Sequence, residues 1–260
     1  MEAVLNLIQT VVLLLVLLGA LSLILSGRRE VRLVLFAFAV VCALLSNLYW
    51  LTYDTLRPEQ RMPFAANEIG EWAMFLLLGA AFPVRSKSPS VKKIMFFAAL
   101  FSAANAALWI AWSGEWVEDI ITGAVFAYFL CNLFGNIKAE EAFPLWEWRL
   151  FFVLCPILVA VQMIIFFVPE QSKLPLDLFC YGLMFGVAAL LLIRAFLRLA
   201  GRIPGASSAV PEVFSFYAWA TITLYMSSGA FYTAALLLVT ISFPMMLTAL
   251  KTEEEPLCKA

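Results

Sequence analysis

Apolar, largely uncharged runs of about 20 residues recur along the chain, and a run of that length commits a segment to one kind of environment. A helix rises about 1.5 Å per residue, so about 20 residues cross a hydrocarbon core roughly 30 Å thick. Such runs occupy residues 3–26, 34–53, 64–83, 94–112, 120–137, 150–168 and 176–197. The stretch 213–250 is longer, 38 residues with no charge. As one straight helix it would reach about 57 Å, nearly twice a span. Ser227, Ser228 and Gly229 lie near its middle and supply a turn. It therefore divides into spans 213–226 and 230–250. The expectation is an all-α, polytopic transmembrane helix bundle of nine spans. Eight spans result if 213–226 lies along the interface instead, but interfacial helices carry a charged face and this stretch has none.

Composition supports the same class. Charged residues make up 13% of the chain, against about 25% in soluble domains. Mean hydropathy is +0.95. A water-facing surface cannot be covered with so few charges when 64% of the chain is hydrophobic. No loop exceeds about 15 residues, which leaves no room for a soluble domain. Residues 1–250 read as a single transmembrane domain and 251–260 as a short polar cytosolic tail. The first run is too long for a signal-peptide core and begins with Glu2 rather than a basic residue, so it reads as a retained span.

The basic residues give the bundle a direction. Arg28, Arg29 and Arg32 follow the first span; Arg85, Lys87, Lys92 and Lys93 follow the third. Lys138 and Arg149 bracket the loop after the fifth, and Arg194, Arg198 and Arg202 close the seventh. The opposite loops hold three, Arg57, Arg61 and Lys173. The positive-inside rule then places the N-terminus outside and the basic loops in the cytosol of a multi-pass protein of the cell membrane.

Absences narrow the chemistry. The chain has no histidine, which excludes Ser-His-Asp and Cys-His hydrolysis as well as His-bound zinc or haem. Four of the five cysteines, Cys42, Cys131, Cys155 and Cys180, lie in apolar runs and read as small buried side chains. Cys258 stands third from the end, which is not a prenylation box. No CxxC, Walker A, GxSxG or paired-Asp metal motif occurs, and no lysine lies mid-span. No cofactor or metal is expected. A net charge of −1 implies no nucleic-acid partner. The expected partners are the lipid bilayer, a small organic cation or proton, and a second membrane protein or another copy of this chain.

Ionisable residues inside spans are costly and usually functional. Glu68 and Glu71 lie roughly 6–11 Å below the outer end of the third span, three residues apart and on one face. Asn67 borders that face. Two like charges so placed repel, so at least one is expected to have a raised pKa, to bind a cation, or to pair with Arg57 and Arg61 in the preceding loop. Aromatics crowd the same interface: Tyr49, Trp50, Tyr53, Trp72, Trp109, Trp112 and Trp116, seven of the fifteen Trp and Tyr residues. An aromatic belt accounts for Trp at helix ends. Acids beside the rings suit an organic cation held by cation–π attraction.

Amides mark a route inward: Asn47, Asn105 and Gln162, with Asn132 on a Tyr128–Asn132–Asn136 stripe. Each also serves as an interhelical hydrogen-bonding group. Ala99, Ala103 and Ala107 form a small-residue ridge, and Gly182 with Gly186 a GxxxG, both expected at close helix contacts. Pro156 and Pro244 are expected kinks. The first span, almost all Leu and Val, suits a lipid-facing place.

Three functions are compatible with this pattern. The first is a small solute carrier or membrane binding protein for a cationic or proton-coupled solute. Glu68 and Glu71 would hold the charge, Asn67, Asn47, Trp50, Trp72, Trp109 and Trp112 would shape the entrance, and Asn105, Asn132 and Gln162 would line the path. The alternative is a structural, accessory or sensory membrane subunit without transport or catalysis. The third, an intramembrane lipid enzyme with Glu68 and Glu71 as acid and base, lacks a nucleophile and a metal motif.

Overall fold

A computed structural model describes residues 2–56, 66–203 and 208–253. Arg57, Arg61 and Cys258 lie outside the described residues. The described chain is all-helical, with no strand. Its helices are α1 (Glu2–Leu25), α2 (Val31–Leu56), α3 (Ala66–Ala80), α4 (Pro89–Ser113), α5 (Trp116–Ala139), α6 (Leu145–Phe167), α7 (Glu170–Leu199), α8 (Val210–Tyr225) and α9 (Gly229–Thr252). Seven are long and apolar enough to cross a membrane, all but α3 and α8. The protein is an integral, multi-pass membrane protein. The uncharged run 213–250 breaks where expected: α8 stops at Tyr225 and α9 starts at Gly229, whose φ of +55° suits a residue without Cβ.

Consecutive helices alternate in direction, and their ends meet in two groups. At one end Arg28 donates to the Lys251 carbonyl. Arg32 there donates to the Ala81 carbonyl and forms an ion pair with Glu253, 2.8 Å away. We call this the basic end. At the other, acidic end, Asn47 of α2 donates to the Asn6 carbonyl and to Thr10 of α1. Tyr181 of α7 meets Ser228 in the turn before α9.

α8 is the axis of the bundle. Every residue from Val210 to Thr223 is buried. Apart from Glu212 in its first turn, α8 carries no charge to present to water or headgroups, and such a helix belongs inside. Within it, Tyr217, Phe214 and Phe216 are fully buried, and Phe214 meets Phe36 and Phe82 edge-on. Its 16 residues rise about 24 Å.

Two small-residue patterns sit differently from expectation. The buried face of α4 includes Ala98, Ser102 and Ala106, one position before the Ala99–Ala103–Ala107 ridge, of which Ala103 and Ala107 are exposed. Ser102 fixes that register by donating to the Gly123 carbonyl of α5 at 2.8 Å, where a Cβ on Gly123 would meet Ala106 at 2.6 Å. Gly182 and Gly186 of α7 face open space, with nothing within 4 Å of an added Cβ. Within one chain this GxxxG packs nothing; the buried face of α7 is Cys180, Met184, Val187, Ala188 and Leu191. α1 shows the lipid-facing stripe expected of it, with Leu7, Val11, Leu14, Leu15 and Leu18 exposed.

Candidate ligand cleft at the acidic end

The acidic end is organised by the first turns of α3. Gly70 lets α3 press on α2: an added Cβ would lie 3.0 Å from the Cys42 carbonyl and 3.3 Å from the Ser46 Cβ. On the other side, the Trp72 indole nitrogen donates to Thr122 of α5 at 2.8 Å. α3 is thus wedged between α2 and α5, and its two acids part company. Residues three apart on a helix differ by about 60° in direction, enough to face different neighbours.

Glu71 turns inward. It accepts hydrogen bonds from Tyr225 at the end of α8 (2.7 Å) and from Ser46 of α2 (3.2 Å). Tyr225 in turn packs edge-on against Trp109, Phe75 and Phe126. The Trp109 indole nitrogen is buried without a hydrogen-bond partner, and so is the Asn105 carbonyl oxygen one turn along the same face of α4. Asn105 spends its amide donor on its own helix, at the Phe101 carbonyl.

Glu68 turns toward α5 and is 94% buried, at 6% exposure. It lines a cleft of about 370 Å³ with Ile69, Trp72, Gly114, Glu115, Trp116, Val117 and Glu118. The cleft exists because Gly114, at φ +77°, ends α4 in a left-handed cap and turns the chain sharply into α5. That turn brings Glu115 and Glu118 opposite Glu68. Glu118 lies within side-chain reach of both Glu68 and Glu115, so three carboxyl groups gather in the cleft. Negative charge gathered in this way favours a cation. The described residues contain no grouping suited to a metal ion. Three acids beside two indoles, in a space the size of a small-molecule site, match an organic cation instead.

The remaining sequence candidates spread out. Asn67 is buried in the first turn of α3. Trp50 packs edge-on against Tyr49 and Tyr53, and Trp112 is 73% exposed, both in the manner of an interfacial belt. Asn47 ties α2 to α1. Asn132 donates to the Tyr128 carbonyl of its own helix, and Gln162 lies near Cys180 of α7. Asn47, Asn105, Asn132 and Gln162 line neither the cleft nor the larger cavity described below.

Sequence reasoning did not place Glu115 or Glu118 in the site, and counted Trp116 only among the interfacial aromatics. It also passed over a second charged cluster at the basic end. There Glu212 of α8 is 1% exposed and receives Arg198 at 2.9 Å, while Arg194 lies 3.7 Å away. Arg194 also pairs with Glu147 of α6 and lies over the Phe143 ring. The available signal was that Glu212 is an acid in a loop whose other charges, Arg198 and Arg202, are basic. Comparison with known protein families, curated proteins and solved structures returns no match.

Proposed function

We propose that the protein is a small solute carrier or binding protein of the cell membrane, with the acidic end outside, that takes a small organic cation in exchange for protons. The observation that carries the reading is the cleft itself, three carboxyl groups lining one space and flanked by Trp72 and Trp116. In such a site the ring faces attract the cation and the acids neutralise it, while the same acids accept protons when it leaves. Glu71, with Tyr225, Trp109 and Asn105 behind it, is the next polar station inward. Unpaired polar atoms on Trp109 and Asn105 suit water or a transient guest.

The test is equilibrium binding of labelled tetraethylammonium to the purified protein, followed by its uptake into vesicles containing the protein. Saturable binding that falls in Glu68→Gln and Glu118→Gln supports the site, and uptake separates a carrier from a binding protein. Absence of saturable binding by tetraethylammonium and its smaller and larger homologues sinks the reading. The open Gly182–Gly186 face of α7 favours one alternative, an accessory subunit with a partner helix on that face. A stoichiometric membrane partner retained in mild detergent, with no cation binding, selects it.

A further inference from the structure

A second cavity, about 400 Å³, separates α6 from the rest of the bundle. Its walls come from α4, α5, α6 and α8 and are almost wholly apolar. It opens sideways between α4 and α6, where Phe97, Leu100, Phe152 and Met163 line it and are also exposed on the outside. In a membrane protein that mouth faces acyl chains, not water. Along α6 the lining runs from Trp148 to Met163, a rise of about 22 Å. Half of a hydrocarbon core is roughly 15 Å, so the space suits a long chain rather than a compact solute.

Its basic end is polar in one respect. The Trp148 indole nitrogen and the Ser215 hydroxyl both belong to lining residues and are buried without a hydrogen-bond partner. Trp148 is 7% exposed and Ser215 is 1% exposed. Thr221 and Thr223, further along α8, return their hydroxyls to carbonyls four residues earlier; Ser215 does not. Buried donors left without acceptors are rare and costly. Each is the lining residue of its helix closest to the basic end, so both belong to that end of the cavity.

We propose that this cavity holds one acyl chain of a membrane glycerophospholipid, whose ester carbonyl accepts hydrogen bonds from Trp148 and Ser215. Arg149, exposed and next to Trp148, offers a positive charge to the phosphate. The inference is independent of the cation cleft.

The experiment reconstitutes the protein in phosphatidylcholine vesicles, extracts it in mild detergent, strips annular lipid and counts bound lipid by native mass spectrometry. One phosphatidylcholine per chain is expected. Trp148→Phe with Ser215→Ala lowers its retention about tenfold. Ala160→Phe, which fills the cavity from α6, removes it. Either variant decides the matter if the other fails to fold. An ether-linked lipid lacking the carbonyl is retained about tenfold less by the parent and equally by the double variant. The proposal is overturned if the parent keeps no more lipid than Ala160→Phe, if the double variant keeps as much as the parent, or if the retained molecule is a free fatty acid or a non-lipid.

Discussion

The two ends of α8 bury acids in opposite ways. At the basic end Glu212 is held by Arg198 and approached by Arg194, which also pairs with Glu147. At the acidic end Glu71 takes its hydrogen bonds from two hydroxyls, Tyr225 and Ser46, and Glu68 sits among other carboxyl groups. A guanidinium neutralises its partner permanently, so the first arrangement is fixed. The hydroxyls that hold Glu71 carry no charge of their own. One end locks α6, α7 and α8 together by ion pairs; the other holds Glu71 by neutral donors. Glu212 and Glu71 are both acids in the interior of one bundle, and what differs is their neighbours.

The largest expected effect breaks the locked end. Arg198→Met leaves Glu212 buried beside an incomplete partner and should cost about 3–5 kcal/mol, read as a fall in thermal stability in detergent. Glu212→Gln should cost a similar amount, whereas Glu71→Gln should change stability by less than about 1 kcal/mol, because an amide still meets both hydroxyls. Equal losses from the two acid-to-amide changes would erase the contrast between the ends. Next comes Tyr225→Phe. It should cost about 1.5–3 kcal/mol while Glu71 is charged and near 1 kcal/mol in a Glu71→Gln background. That difference reports the charge on Glu71.

Gly70→Ala should cost about 1–3 kcal/mol, since its Cβ would press on the Cys42 carbonyl, which is backbone and cannot yield easily. It should also weaken cation binding by displacing α3 from the cleft; unchanged affinity would show that the wedge does not position the acids. The smallest effect concerns Glu118. Glu118→Gln should lower tetraethylammonium affinity about two- to fivefold, as expected for one partly solvated charge among three.

Much of the fold was legible because it is dictated by the bilayer. Most spans and the break between α8 and α9 follow from length, hydropathy and turn chemistry. Packing inside the membrane was not legible in the same way, because nearly every residue is apolar and hydrophobic contrast disappears. The contact face of α4 lay one residue from the ridge of alanines, decided by the Ser102 bond to Gly123. Glu212 lay just outside the uncharged run and looked like loop, although α8 begins at Val210. Glu68 and Glu71 were recognised as a pair, yet α3 stands between α2 and α5 and sends one each way. Glu115 and Glu118 join the site through the turn at Gly114, a tertiary event that spacing along α3 does not encode.

The claim that the acidic end trades protons for a cation has a direct measurement. Tetraethylammonium is added to the purified protein in a lightly buffered solution, and the pH is followed. The account predicts proton release at the same concentrations that saturate binding, with affinity rising as pH rises, because the cation competes with protons for the cleft. Glu118→Gln should reduce the protons released. Saturable binding with no proton release, and an affinity indifferent to pH, would contradict it.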